Sequence, residues 1–285
     1  MKFAFNTFPY SSFPTLLPTY TLDETIRSIA EAGYDAVEIG CCAPHAWPQH
    51  LAKDRRKEIR AIADAEGLDI SALLPAIGGG FGCNPCSSLR AERQATVSHY
   101  IDIIDLASDL GAGMVLYIGG WRAQGMSPEI GWDYSADCLR QIAIHAQDRG
   151  ITIAIEPTTS DTNLIDTPAD ARRMMEAVET SNVKLMFDTF HMDFEGGSFA
   201  AYVAEMGADL VNIHVADTQR KAIGEGTTDW LLCMEALVTA NYTGHVTVET
   251  GFGHRGAEPG EVARESLRHL RLSKFSCLSE RRIFP

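Results

Sequence analysis

Eight times along this chain a short apolar run gives way to a longer amphipathic one. The apolar runs cover 2–6, 34–39, 69–74, 113–118, 151–156, 183–188, 210–214 and 245–249. The amphipathic runs cover 23–32, 54–66, 89–110, 134–148, 168–178, 198–206, 228–240 and 259–272. Strict strand–helix alternation is the mark of a parallel α/β fold, because each parallel strand needs a crossover helix to return the chain. Eight such units in 285 residues predict a closed (β/α)8 TIM barrel over 1–285 as one domain. No GxGxxG follows the first strand, so an open dinucleotide-binding sheet fits less well. Local punctuation agrees. Thr21 is placed to cap the first helix, Gly33 and Gly67 to stop the first two, and Pro168 suits a first helical turn. Within 89–110, Ile101, Ile104, Leu106, Ala107 and Leu110 are expected on the inner side. The stretch 273–285 reads as irregular, packed outside or at a subunit contact, and we expect a homo-oligomer, a dimer or tetramer.

The formal net charge is −14, and no basic run exists to track a phosphate backbone, which argues against nucleic acid. No run of about 18 apolar residues is present, so no membrane span is expected. Asn6, Pro9 and Ser11 interrupt any apolar targeting segment at the start, and a cytoplasmic enzyme is the expectation. Seven cysteines, an odd number, read as reduced thiols. Cys83-Asn84-Pro85-Cys86 has the CxxC form but no second metal-spaced pair, and ordinary loop cysteines are expected. Gly78-Gly79-Gly80 and Gly119-Gly120 lack phosphate-loop patterns and are expected to relieve crowding in loops over the barrel mouth.

The last four apolar runs close on Glu156, Asp188, His214 and Glu249, separated by 32, 26 and 35 positions. One barrel unit takes roughly 30 residues, so all four fall where a strand meets its C-terminal loop. They therefore converge on one mouth. Any single one could cap a helix or bridge loops, but four ionisable groups facing each other need a compensating charge. Three carboxylates and one imidazole suit Mn²⁺, with Mg²⁺ or Co²⁺ next, better than a structural Zn²⁺. Four protein ligands leave two octahedral positions for adjacent oxygens of a substrate carbonyl, whose neighbouring C–H becomes acidic. Glu156 and Glu249 could then act as acid and base on opposite faces of one carbon.

These residues sit in motifs that resemble the sugar isomerase/epimerase superfamily of xylose-isomerase-like barrels. Within it the likeness is to ketose 3-epimerases, the tagatose/psicose and fructoselysine enzymes. Phe187-Asp188-Thr189-Phe190-His191-Met192 is the most specific segment, supplying a metal Asp and a substrate-contacting His191. Ile155-Glu156-Pro157 and Val248-Glu249 match the two metal-binding catalytic glutamates, and Asn212-Ile213-His214-Val215-Ala216-Asp217 the metal His. Arg220 stands where the family places a substrate-binding arginine. Gly224-Glu225-Gly226 with Asp229-Trp230 matches the following loop. Tyr34-Asp35-Ala36-Val37-Glu38-Ile39 and Pro44-His45-Ala46-Trp47 match the second strand and its loop. The resemblance covers nearly the whole chain and implies a metal-dependent ketose 3-epimerase acting through a cis-enediolate, with a keto-sugar or sugar derivative as its small-molecule partner.

The sequence departs from that pattern in two places. Epimerases of free ketoses carry a second Glu six residues after the first; here the position is Thr162, with Asp161 beside it as a candidate substrate contact. Thr250 replaces the Pro that usually follows the last Glu. His45, Trp47, Trp121 and Arg122 follow strands two and four, where aromatics either stack on a sugar or fill the mouth. His45 and Trp121 are carried forward as substrate contacts. Glu38, inside a strand, has no assigned role. Aldose–ketose isomerases and sugar or cyclitol dehydratases would use the same site chemistry. A DNA-repair endonuclease needs further early-strand ligands and a basic face. An inactive sugar-binding barrel would have no need of all four ligands.

Overall fold

The computed structural model describes residues 1–11, 19–75, 82–251 and 257–283, with side chains to Ser279. Eight parallel strands close on one another in chain order. They are β1 (Lys2–Asn6), β2 (Ala36–Cys41), β3 (Asp69–Pro75), β4 (Met114–Ile118), β5 (Thr152–Glu156), β6 (Val183–Asp188), β7 (Leu210–Val215) and β8 (His245–Val248). β8 returns to β1 with Phe3 opposite Val246. The TIM barrel expected from the alternation is therefore present.

The outer layer has α1 (Leu22–Ala32), α2 (Lys53–Glu66), α3 (Arg90–Leu110), α4 (Pro128–Gln147), α5 (Pro168–Val178), α7 (Phe199–Met206), α8 (Trp230–Thr239) and α9 (Pro259–Ile283). A further short helix, α6 (Thr189–Glu195), opens directly at the end of β6. Thr21 forms a capping box with Glu24, and Gly33 ends α1 with φ +95°. Among the described residues, no helix is long and apolar enough to cross a membrane.

Four sequence expectations need correction. Ser127 caps α4 by accepting from Ile130 N, so that helix starts at Pro128 rather than 134. The stretch read as irregular after 272 continues α9 to Ile283. On α3, Ile104, Leu106, Ala107 and Leu110 are buried as expected, together with Val97, Tyr100 and Ile103, but Ile101 is only partly buried. The second strand starts at Ala36 and runs on to Cys41; the Tyr34 N–H still bonds back to the Ile29 carbonyl of α1, so Tyr34 precedes the strand.

Side chains alternate between the two faces of each strand. Outward residues such as Phe5, Val37, Ile39, Tyr117, Ile155, Phe187 and Ile213 pack under the helices. The inward set is divided by chemistry. Ala72, Leu74, Met114, Leu116, Ala154 and Met186 form an apolar filling on the β3–β6 side. Asn6, Glu38, Asn212 and Thr247 form a buried polar filling on the β7–β8–β1–β2 side. None of the seven cysteines forms a disulfide, and burial holds the Cys86 thiol up at about 12, which makes it inert. Gly120 has φ +98°, and a Cβ there would lie 2.4 Å from Asn84 Oδ1, so this loop needs its glycine. Gly78, Gly79, Gly80 and Arg255 lie outside the described residues.

Candidate active site

Inward parity delivers the four predicted residues to one place. Glu156 ends β5, Asp188 ends β6, His214 is the penultimate residue of β7, and Glu249 immediately follows β8. Asp188 and His214 are direct register partners. All four are buried, Asp188 and His214 completely. His214 Nδ1 lies 3.2 Å from Glu249 Oε2 and 3.6 Å from Glu156 Oε1. One ligand atom from each of Asp188, His214 and Glu249 falls within a 4.8 Å cluster, and so does one from each of Glu156, Asp188 and His191.

This donor set fits a divalent cation. Three carboxylates converge with an imidazole nitrogen, and neither ring nitrogen of His214 has a well-directed hydrogen bond. Such orphaned buried polar atoms are rare and call for a partner. In the protein alone, burial would lower the His214 pKa, but Glu38 and Glu249 outweigh that and hold it well above the usual value. Burial raises Glu156 and Asp188 above the ordinary carboxylate range. Burial pushes Glu249 the same way, yet His214 and Arg220 overcome it and hold that carboxyl low. The two glutamates thus sit in opposite electrostatic surroundings.

Asp188 has two duties. Its Oδ1 accepts from Phe190 N at 2.9 Å, capping α6, which orients the carboxylate. Its Oδ2 accepts from Arg220 Nη2 at 3.0 Å, and Arg220 Nη1 reaches Glu249 Oε2 at 3.3 Å. The guanidinium also lies 4.4 Å over the Phe190 ring. Arg220 is therefore in the site, braced against two of the four candidate ligands.

Its backbone is held unusually. Gln219 and Arg220 both have positive φ, +63° and +57°. Asp217 holds the loop in that shape: its carboxylate accepts from Thr218 N, Gly224 N, Thr228 N and Trp230 Nε1, at 2.9–3.1 Å. A Cβ on Gly226 would lie 2.1 Å from Asp217 Oδ1, which explains the second glycine of the G-x-G segment. Thr250, the residue in place of proline, donates its hydroxyl to the Arg220 carbonyl at 2.9 Å. Burial alone would raise the Asp217 pKa, but these donors bring it down to about 2. A depressed folded-state value means that its stabilisation is full above the ordinary Asp range and disappears as pH falls toward 2. We predict that Asp217→Ala, which strands four donors, costs about 2–4 kcal/mol. That corresponds to a melting temperature lower by roughly 5–10 °C near neutral pH. A calorimetric scan showing no decrease would refute this account of the loop.

The remaining candidates are placed unevenly. His191 is buried beside Asp188, and burial lowers its pKa. Its Nδ1 is 2.8 Å from Ser160 Oγ, a partner the sequence reading missed. Asp161 is mostly exposed; its Oδ1 accepts from Ser160 Oγ at 2.8 Å and its Oδ2 lies 3.7 Å from His191 Nε2. Thr162 is buried, with its hydroxyl 2.6 Å from that of Thr158. His45 is buried with Nε2 on the Tyr20 carbonyl at 2.9 Å. Trp47 stacks on His99 of α3 at 4.7 Å. The Trp121 side chain is 46% exposed, while Asn84 clasps its backbone through both N–H and C=O.

A closed parallel barrel with a carboxylate–imidazole cluster at the C-terminal ends of its strands has the layout of a metal-binding barrel enzyme, and the comparisons narrow it. Residues 26–273 match the family model described as xylose isomerase-like TIM barrel, and the chain belongs to that family. Curated relatives include fructoselysine 3-epimerase of Shigella flexneri, 23% identical over 88% of this chain and 92% of the relative. Another is 3-dehydro-D-guloside 4-epimerase of Escherichia coli K12, 25% identical over 87% and 93%. Among solved structures, D-psicose 3-epimerase with D-tagatose from Clostridium cellulolyticum superposes with a TM-score of 0.82, at 21% identity, covering 96% of this chain and 99% of that one.

Proposed function

We propose that this protein is a divalent-metal-dependent ketose 3-epimerase, an isomerase that inverts the carbon next to a ketone in a keto-sugar. The observation that carries this reading is the pair of buried glutamates, Glu156 and Glu249, at 3.6 and 3.2 Å from His214 Nδ1. Epimerisation beside a carbonyl needs one group to take a proton and a second to return one on the opposite face. Glu156, Asp188, His214 and Glu249 would hold the cation, with Mn²⁺ the preferred ion. Bound there, it would supply Lewis acidity to the substrate oxygens.

The chain's own residues do the rest. Glu249 is held low by His214 and Arg220, and Glu156 is raised by burial. Either glutamate takes the proton according to the direction of reaction, and the other returns one. A bound cation favours the ionised form of both, so the contrast describes the site before it is loaded. Arg220 and His191 lie beside Asp188, and in this reading they would bind the O1–O2 end and steady the enediolate charge. Thr162, turned inward onto Thr158, puts no carboxylate at that end.

A second reading is favoured by that departure at Thr162 and by the 4-epimerase among the relatives. The stereocentre inverted would then be C4 of a 3-keto sugar, which also neighbours a ketone. Incubation of the Mn²⁺-loaded enzyme with 2-ketoses and 3-keto sugars in D₂O separates the two. Deuterium at C3 of a 2-ketose with inversion is the expected result. Deuterium at C4 of a 3-keto sugar supports the second reading. Label confined to C1 or C2, marking aldose–ketose isomerisation, would overturn both.

A further inference from the structure

A carboxylate sealed inside a barrel is costly unless donors surround it. Glu38, on β2, is completely buried, and its surroundings are unusually specific. Oε1 accepts from Asn6 Nδ2 at 2.7 Å, and Oε2 from Asn212 Nδ2 at 3.0 Å. His214 Nε2 lies 2.8 Å from Oε1. The Asn6 amide cannot be turned round, because its Oδ1 accepts from the Phe8 N–H at 2.7 Å. Asn212 Oδ1 accepts from the Thr247 hydroxyl at 2.9 Å. Both NH₂ groups face Glu38, which accepts from each.

In a neutral ring the hydrogen belongs on the nitrogen nearer a carboxylate oxygen: Nε2 lies 2.8 Å from Glu38, whereas Nδ1 lies 3.2 Å from Glu249. That places the ring hydrogen of neutral His214 on Nε2 and leaves the lone pair on Nδ1, the nitrogen facing Glu156 and Glu249. The Nε2 contact is close but the N–H does not point straight along it; coordination at Nδ1 would hold the ring from its other side. A need for barrel filling does not explain this layer. The β3–β6 half of the interior is filled by Ala, Leu and Met side chains, so an apolar solution was open to the fold. The polar half lies beside His214.

We propose that Glu38 is a positioning residue for the metal centre. Through Asn6, Asn212 and Thr247 it fixes the orientation and tautomer of His214, so that Nδ1 is presented as a ligand. The inference rests on the metal-site reading above. An outer carboxylate on a ligating histidine typically changes metal affinity by roughly 10–100-fold.

The test uses the full chain stripped of metal by chelator. Mn²⁺ affinity is measured by calorimetry for wild type and Glu38→Gln. The His214 tautomer is read in the Mg²⁺-loaded proteins from long-range nitrogen–proton correlations of the imidazole. Glu38→Gln should bind Mn²⁺ about 10–100-fold more weakly and lose the pure Nε2–H signature. Should that variant not fold, Thr247→Val, which removes the hydroxyl orienting Asn212, carries the test with an expected weakening of about 3-fold or more. Wild type without Mn²⁺ binding would overturn the metal reading and this proposal together. Wild-type binding with Glu38→Gln within twofold of it, or weakened with the tautomer unchanged, would overturn the proposal alone.

Discussion

Glu156→Gln and Glu249→Gln should each lower epimerase turnover by about 10³-fold or more, because a positioned general acid or base contributes typically 10²–10⁴ and the proposed mechanism gives each face only one. The substitution keeps side-chain volume, so the barrel should be intact. The two variants should also differ from a simple loss of binding. One carboxylate suffices to remove a proton and give it back on the same face. Each variant should therefore retain some exchange of the substrate proton with D₂O without inversion, in one direction of reaction only. Activity above a few per cent of wild type in either variant would rule out the two-base arrangement. Loss of inversion and exchange in both directions would instead indicate that the glutamates matter only as metal ligands.

Much of this site could be read in the sequence because parallel strands translate position into direction. A residue that ends an apolar run in an alternating chain sits at the barrel mouth, and its parity decides whether it points inward. Glu156, Asp188 and His214 obey that rule directly, and Glu249 follows one residue beyond its strand. The same parity argument would have placed Glu38 inside, since Ala36, Glu38 and Gly40 alternate with the outward Val37 and Ile39. What no pattern disclosed was its partner set, which draws on β1, β7 and β8 at once. Asp217 was visible only as one letter of a motif. Its function lies in four donors gathered by a loop with positive φ at two non-glycine residues, a shape that local propensity disfavours. Helix α6 was missed because seven residues carry little periodicity, although Asp188 is a good capping residue. Ser160 reaches His191 across 31 positions of sequence, a contact only the closed barrel creates.

Asp188→Asn and His214→Ala should abolish Mn²⁺ binding and, with it, activity to below about 10⁻³ of wild type, and the reason can be argued from charge. Glu38, Glu156, Asp188 and Glu249 bring four carboxylates into one buried region, against the guanidinium of Arg220 and the ring of His214. Such a cluster is stable only with cations to match it. In the protein alone, Arg220 bridges Asp188 and Glu249, and His214 is held protonated by Glu38 and Glu249. Metal loading therefore exchanges one set of cations for another, and His214 must give up a proton to bind. Mn²⁺ binding should accordingly weaken as pH falls through the raised His214 value and strengthen above it. A ligand at 100 times its dissociation constant adds about 2.7 kcal/mol to stability. Mn²⁺ should then raise the wild-type melting temperature by roughly 5 °C or more. Asp188→Asn and His214→Ala should show no such rise at the same Mn²⁺ concentration. His214→Ala should also melt below wild type without metal, because it strips the carboxylates of a buried positive partner. An undiminished Mn²⁺-dependent rise in either variant, or turnover by chelator-treated wild type, would mean that the cation does not sit among these four residues.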